Sequence, residues 1–429
     1  MSFCDGAGWY GGHAAWARGG LPYAARPIAA IRHLPASPPR GLLVANLIAQ
    51  LAFGLLAMTL CIPSMQEWGA IFGASQAHVQ LSFSGYVVAY GGLQLLYGPL
   101  SDRLGRRRVL LAGLGLAFVG SVLAALAPGL DALIAARVLQ GAGAAAGMVV
   151  GRALVQDLFQ GAERTRVMAW IGMAMGLCPP SAAIIGGQLH VRLGWQAGFV
   201  LMAVLAAVLA FAAWRSLPDT RPAPAAGQPP WWTAMRSAYA RLAREPVFLL
   251  HVAILALSTA TFYTFLGGAP LVLGSYGVGP AGIGWYIACI PLSYIVGNYL
   301  TSRLVRRLGD RRVMVVGQVL TLAGLALCIG LALAGWHTAL AFALPLTLLG
   351  LGHGLLMPAA LSGTVGVVPA LAGAASAVGG LMQQLTGAAG AWTVGLVTHQ
   401  GALNLGLLML GSALLAGAAM VALGRFSRA

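Results

Sequence analysis

The chain has 429 residues, of which 59% are hydrophobic and only 8% are charged, and its mean hydropathy is +0.83. About a quarter of the residues in a soluble domain are charged, so this composition excludes a soluble globular protein and predicts an all-α integral membrane protein. The 25 basic residues are all arginines, which excludes a Walker A nucleotide loop and Schiff-base chemistry on lysine.

Residues 1–39 begin the chain with Gly, Ala, Pro and Arg and contain no apolar run. They lack the charged, apolar and cleavage regions of a secretory signal, so we expect a disordered cytoplasmic tail over 1–40. An over-long assignment of the start site is the alternative interpretation.

Twelve apolar segments follow, each about long enough to cross a hydrocarbon core of about 30 Å as a helix. The predicted spans are 41–63, 79–99, 109–127, 132–152, 166–189, 196–214, 248–274, 281–300, 313–334, 338–360, 372–397 and 402–424. A proline-rich stretch that no helix tolerates, LPDTRPAPAAGQPPWW, follows the sixth span. We therefore predict an N-terminal half (41–215), a cytoplasmic linker (216–247), a C-terminal half (248–424) and a tail (425–429).

Arginine placement predicts the orientation of the chain in the membrane. With the N-terminus in the cytoplasm, every arginine except Arg137 and Arg192 falls in a tail, the linker or a cytoplasmic turn. Both termini are therefore expected to be cytoplasmic. The same distribution explains the net charge of +16 without any nucleic acid partner.

A short repeat relates the two halves. LGRRRV at 104–109 recurs as LGDRRV at 308–313, each directly after the second span of its half. Together with six spans on either side of the linker, the repeat predicts two pseudo-symmetric six-helix halves around a central cavity.

The stretch YGPLSDRLGRRRVLLAG at 97–113 concentrates charge in an otherwise charge-poor chain. Its glycines permit close helix approach and a tight turn at positive φ, and Asp102 can accept hydrogen bonds from arginines or cap a helix. Orientation in the membrane alone explains Arg107 and Arg108, but it requires neither the acid nor the glycines. The candidate residues of a cytoplasmic gate are Gly98, Asp102, Arg103, Gly105 and Arg106.

This stretch resembles the G-x-L-x-D-R-x-G-R-R motif of the major facilitator superfamily. The longer run at 79–113, VQLSFSGYVVAYGGLQLLYGPLSDRLGRRRVLLAG, is similar to the Bcr/CflA branch of its drug:proton antiporters, and the resemblance extends over about 41–424. It implies the twelve-helix major facilitator fold. It also implies a latch in which Asp102 and Arg106 close the cytoplasmic side.

The fourth predicted span also resembles this family, over RVLQGAGAAAGMVVGRALVQD at 137–157. Arg137 lies well inside the span, and a buried arginine costs several kcal/mol unless it is partnered or reached by water. We expect Arg137, Gln140 and Gly141 to serve coupling, with an arginine that snorkels to the outer interface as the alternative. Arg152 and Asp157 resemble the family's charged pair at the inner end of this helix, and a solvated loop pair is the alternative.

On the fifth span, GMAMGLCPPSAAIIGGQL at 172–189 resembles the antiporter motif G-x-x-x-G-P-x-x-G-G. The family's proline position is occupied by Ala183, and the two prolines stand earlier, where they predict a kink. The residues assigned to the motif are Gly172, Gly176, Pro179, Pro180, Gly186 and Gly187.

The first span departs from the family. Many of these antiporters carry an acid in a D-M-Y-L-P run, where this chain has TLCIP with Thr59 in the acid's place. The groups left to carry protons are Glu67, Asp131 and His353, although a lone histidine is also typical of helix packing. Without an opposing acid, Arg137 leaves positive potential in the outer half of the cavity, which favours neutral or anionic substrates over lipophilic cations. The candidate cavity residues, each of which ordinary packing also explains, are Thr59, Tyr86, Tyr90, Tyr263, His353 and Gln383.

The resemblance implies a secondary active transporter that exports small amphipathic compounds or drugs by alternating access, in exchange for protons. It implies a monomer in the bacterial cytoplasmic (inner) membrane, with no cofactor and no metal. An uptake facilitator or a symporter for a small metabolite is the alternative transporter. A membrane-embedded enzyme would need paired acids, a histidine cluster or a nucleophile–base pair within a span, and no predicted span holds an acid pair or a histidine cluster. A receptor or scaffold would tolerate Arg137→Ala and Asp102→Asn, which a transporter would not.

Overall fold

The computed structural model describes residues 40–220, 231–368 and 371–426, and over these ranges the chain is helical without a β-strand. The predicted N-terminal tail up to residue 39 lies outside the described residues. A 3₁₀ turn at Ile62–Ser64 links the first two helices. The helices are α1 (Arg40–Thr59), α2 (Met65–Phe72), α3 (Gln76–Leu104), α4 (Arg106–Ala125), α5 (Leu130–Leu158), α6 (Gly161–Leu193), α7 (Gln196–Ser216), α8 (Trp231–Leu242), α9 (Pro246–Ser275), α10 (Pro280–Leu308), α11 (Asp310–Leu333), α12 (Ala339–Gly366), α13 (Ala372–Val394) and α14 (Ala402–Phe426).

Ten candidate membrane spans within the described ranges are long and apolar enough to cross a bilayer, the first of them running over Arg40–Phe72. The long helices α3 and α13 fall outside this group because Gln, Ser, Thr and Gly make them less apolar. These two helices pack against each other between the two halves, where polar residues do not face lipid. The fold class is confirmed as an all-α multi-pass membrane protein, and the number of twelve spans stays a prediction.

The two copies of the short repeat form turns of the same shape. Gly105 alone joins α3 to α4 at φ 101° and ψ 141°, and Gly309 alone joins α10 to α11 at φ 76° and ψ 158°. Only glycine adopts such positive φ values without strain. The repeat therefore marks two equivalent hairpins, and we call the end of the bundle that carries both turns the arginine-rich end.

The predicted linker contains a helix that the sequence analysis did not anticipate. Helix α8 begins at Trp231, directly after two prolines, and carries Arg236 and Arg241. Proline is unfavourable within a helix but compatible with the residues before it begins. The prolines of the linker therefore do not exclude a helix that begins after them.

Most contacts between the halves come from two helix pairs, α3 with α13 and α6 with α10. Phe83 of α3 lies edge-on to Tyr263 of α9, with 5.8 Å between ring centroids. Both belong to the largest buried apolar cluster, which therefore runs through both halves. This shared core brings the functional side chains of the two halves together.

Candidate functional site

Arg106 ties three helix ends together at the arginine-rich end. Its guanidinium lies 2.5 Å from a carboxylate oxygen of Asp102 on α3 and 3.2 Å from one of Asp157 on α5. It also donates to the Ser101 hydroxyl at 2.7 Å. Because Arg106 is largely buried, these charge-assisted bonds replace the water that the guanidinium loses.

The linker closes this cluster with two residues that the sequence analysis missed. Asp219 pairs with Arg108 at 3.4 Å and lies so close to Gly105 that any side chain at position 105 would collide with it. Thr220 accepts a hydrogen bond from the backbone N–H of Arg106 and donates its hydroxyl to Asp157. An acid in a linker otherwise rich in arginine is the sequence signal that points to Asp219. All these partners belong to the N-terminal half and its adjoining linker.

Three residues at this end, Arg152, Asp157 and Gly98, do not make the contacts predicted for them. The expected pair of Arg152 and Asp157 is not formed, because Asp157 bonds to Arg106 and Thr220 while Arg152 faces a cavity. Gly98 is not a site of close packing, since an added Cβ would lie an ordinary 3.9 Å from Val149.

Arg137 is fully buried on α5 and reaches α1. One guanidinium nitrogen donates to the backbone carbonyl of Ala57 at 2.8 Å and to the Gln140 side chain at 2.5 Å, and the other donates to the carbonyl of Met58 at 3.4 Å. Its Nε has no partner, and no carboxylate pairs with it among the described residues. Since the carbonyls are neutral, the positive charge is solvated but not neutralised.

Two stacked tyrosines, Tyr86 and Tyr90, lie beside this charge, and we call them the aromatic shelf. The Arg137 guanidinium lies 4.2 Å from the ring centre of Tyr86, which stacks on Tyr90 and donates its hydroxyl to the carbonyl of Gly54 at 2.7 Å. Gly141 allows this arrangement, because an added Cβ would lie only 2.5 Å from the Tyr86 carbonyl. The structure therefore places Arg137, Gln140 and Gly141, predicted to serve coupling, against Tyr86 and Tyr90, which were predicted separately as cavity residues.

The C-terminal half contributes Tyr263, whose hydroxyl donates to Gln384 on α13 at 2.8 Å. Gln384 also packs directly against Gly91 of α3, so this pair lies at the interface between the halves. The residue predicted from the sequence is its neighbour, Gln383, which is half-buried. Adjacent residues on a helix point about 100° apart, and α13 carries no clear polar face that would select the correct one.

The end opposite the arginine-rich end is closed by backbone contact. Gly186 of α6 lies against the carbonyl of Leu60, and Gly187 lies against the carbonyl of Pro280 on α10. On α10, an added Cβ at Gly284 would lie 2.6 Å from the backbone of α6. Helix α6 continues through Pro179 and Pro180 without a break. Of the glycines in the antiporter-like motif, Gly187 packs α6 onto the other half and Gly186 packs it onto Leu60 of its own half, while Gly172 lies in open space.

The arginine-rich end is open by contrast. A cavity of about 480 Å³ lies between α3, α5 and α13, and its lining includes Gln94, Arg152, Tyr239 and Ser376. Gln94 in this lining lies about one helical turn from Tyr90 on α3. This cavity lies between the two halves at the arginine-rich end, while at the other end α6 and α10 are in backbone contact.

The candidate proton carriers lie away from Arg137. Glu67 lies 2.8 Å from His190, and Asp131 lies 2.7 Å from His78, and both pairs are at the closed end. His353 is buried on α12, and Thr59 bonds to its own helix at the Leu55 carbonyl. Neither histidine partner was expected from the sequence. Among the described residues, no group of three or more His, Cys, Asp or Glu side chains could hold a metal ion.

Taken together, the bundle of apolar helices, the buried charge and the cavity between the two halves are typical of a multi-pass membrane transporter. The Major Facilitator Superfamily family model matches residues 42–391 and 253–428. The chain belongs to this superfamily, whose members are transporters and not enzymes.

Several characterised relatives are similar over most of their length. Multidrug resistance protein D of Escherichia coli (strain K12) is 30% identical over 86% of this chain and 92% of that protein. The chloramphenicol resistance protein of Pseudomonas aeruginosa is 30% identical over 78% of this chain and 80% of that protein. The crystal structure of the nucleoside transporter NupG matches 89% of this chain and 99% of its own, with a TM-score of 0.74 at 14% identity, which shows a shared fold alone.

Proposed function

We propose that the protein is a secondary active transporter that exports small amphipathic compounds by alternating access, in exchange for protons, across a bacterial inner membrane. The observation that carries the proposal is the asymmetry of the bundle: α6 and α10 seal one end while a cavity opens at the arginine-rich end. Opening the sealed end while closing the other would carry a solute past the aromatic shelf. If arginines mark the cytoplasm, the structure is the inward-facing state.

The substrate class follows from Arg137 and from the relatives. No acid among the described residues pairs with the Arg137 charge, so a cation that reaches the shelf meets repulsion in a site of low dielectric constant. A neutral or anionic amphipathic molecule meets hydrogen-bond donors and aromatic faces instead. Relatives named for resistance to chloramphenicol and to multiple drugs support neutral drugs as the substrates.

The best candidate for proton coupling is a histidine–carboxylate pair beside the contact of α6 with α10. His190 is buried on α6, the helix that seals against α10, and its partner Glu67 is partly exposed on α2. A proton on this pair would change the charge balance beside the seal. The other pair joins His78 on α3 to Asp131 on α5, whose carboxylate is almost fully exposed. A proton on this pair should therefore affect the contact of α6 with α10 less.

The test is drug accumulation in cells that lack their own exporters and express this chain. We expect chloramphenicol accumulation to fall several-fold relative to empty-vector cells, with a smaller effect or none for a quaternary ammonium compound. A protonophore should abolish the effect. Better export of the cation contradicts the substrate class, and export that persists with the protonophore contradicts proton coupling. Accumulation above the empty vector supports the uptake alternative.

A further inference from the structure

We propose that a groove between α11 and α14 at the arginine-rich end binds an anionic phospholipid. The groove has a volume of about 610 Å³, and its mouth is formed by Arg311 and Arg425. Its walls are exposed apolar side chains that include Val319, Leu414 and Val421. This site is separate from the transport pathway, because both helices belong to the outer side of the C-terminal half.

The length of the groove matches one leaflet. From Arg311 to Leu322 on α11, and from Leu414 to Arg425 on α14, the lining covers eleven helical steps, or about 16 Å. This is about half of a 30 Å hydrocarbon core. Gln318 forms the floor by donating to the Ala413 carbonyl at 2.6 Å, so the two helices are fixed together beneath the groove.

A second groove of about 540 Å³ adjoins the first and shares Arg311 and Val315 with it. Arg312 also lines this second groove. Two apolar grooves that meet below one arginine fit a lipid with two acyl chains and a single phosphodiester headgroup. The guanidinium of Arg311 crosses α14 at Gly424, which brings it beside Arg425 at the position of that headgroup.

Charge complementarity identifies the headgroup as anionic. Among the described residues, no carboxylate forms an ion pair with Arg311, Arg312 or Arg425. The equivalent hairpin of the other half differs, because Arg108 pairs with Asp219 and Arg107 donates to backbone carbonyls at the end of α7. The arginines of the N-terminal hairpin are thus occupied by protein, whereas Arg311, Arg312 and Arg425 are exposed and suit a phosphodiester.

The experiment measures lipid binding to the purified full-length protein in detergent by native mass spectrometry. The probes are dioleoyl phosphatidylglycerol and dioleoyl phosphatidylcholine, which share their acyl chains and differ in headgroup charge. We expect at least about tenfold tighter binding of the glycerol lipid. The triple variant Arg311→Gln/Arg312→Gln/Arg425→Gln should reduce this preference to within about twofold, since each arginine near an anionic headgroup contributes about fivefold.

The matched control removes three exposed arginines from the same end outside the grooves, Arg303→Gln/Arg306→Gln/Arg307→Gln, and should keep the preference. A second variant, Gly417→Trp, fills the first groove with the arginines intact and should weaken both lipids, because only Gln318 lies near an added Cβ there. Equal loss in the control would show diffuse attraction without a site and overturn the proposal. Equal binding of both lipids, or a second copy of the chain covering the groove, would overturn it as well.

Discussion

At the scale of single residues, Arg137 is the most unusual feature of the protein. A buried arginine is stable in a membrane protein when neutral oxygens and an aromatic face replace water, and α1 supplies the carbonyls while Tyr86 supplies the ring. Helix packing alone does not require this arrangement, which carries the free-energy cost of burying a charge. Its conformation therefore fits a role in recognising substrate at the shelf.

Replacing Arg137 tests this role. Arg137→Gln should lower chloramphenicol export at least about tenfold, because hydrogen bonds from a charged group contribute about 1.5–3 kcal/mol each, and should reduce discrimination against quaternary ammonium compounds. Arg137→Lys keeps the charge without the planar fork, so it should retain the discrimination at lower activity. The measurement is drug accumulation in expressing cells. Arg192→Gln, an exposed arginine on α6, is the control, and equal losses in both variants would contradict a specific role.

Gly141 permits the contact between α3 and α5 on which the shelf depends. Gly141→Ala should destabilise the protein by about 1–3 kcal/mol, because the new Cβ would displace the Tyr86 backbone. Gly115→Ala on α4 has open space around the added Cβ and should be neutral or slightly stabilising. Thermal unfolding in detergent compares the two variants. An unchanged Tm for Gly141→Ala would contradict this prediction, because it would show that α3 and α5 can move apart without loss of stability.

The two histidine–carboxylate pairs at the closed end offer a matched comparison for proton coupling. Glu67→Gln should reduce export driven by a pH gradient at least about fivefold, because it removes the titratable partner of buried His190 beside the α6 seal. Asp131→Asn, which alters an exposed pair, should leave it unchanged. Drug efflux measured at several external pH values distinguishes the two variants. Normal pH dependence of efflux in Glu67→Gln would contradict this role and show that another group couples transport to protons.

At the scale of helices, the contact of α6 with α10 determines which end is open. Gly187→Val should prevent the seal, because its side chain would collide with the Pro280 carbonyl, and should shift the population toward the state open at the other end. A cysteine at exposed Ser376 in a cysteine-free background should then react more slowly with an impermeant maleimide applied at the arginine-rich end. Gly172→Val on the same helix meets open space and should leave the rate unchanged. Faster labelling in Gly187→Val would contradict the seal.

Features at the scale of helices could be predicted from sequence where a residue type has a single structural explanation. Gly105 has the positive φ predicted for it, and Gly309, at the same place in the repeat LGRRRV/LGDRRV, has one too. The single arginine inside a span indicated a buried, partnered charge. Contacts that join distant segments, such as Asp219 on Gly105, could not be predicted because nothing local in a proline-rich linker specifies them. The choice between Gln383 and Gln384 failed because α13 carries no clear polar face.

At the scale of the whole molecule, the described residues place a charged cluster at one end and a seal at the other, with the aromatic shelf between them. The ion pairs of Arg106 with Asp102 and Asp157 lie within the N-terminal half. We expect closure of the arginine-rich end to bring this cluster against the C-terminal half.

The central claim is proton-driven export of a neutral drug, and transport by purified protein in liposomes tests it most directly. Vesicles with an acidic lumen, in neutral buffer with labelled chloramphenicol, should accumulate the drug several-fold above protein-free vesicles, because protons leaving the lumen drive its entry. A protonophore or Arg137→Gln should abolish this accumulation. Accumulation equal to that of protein-free vesicles under every pH gradient would contradict the account.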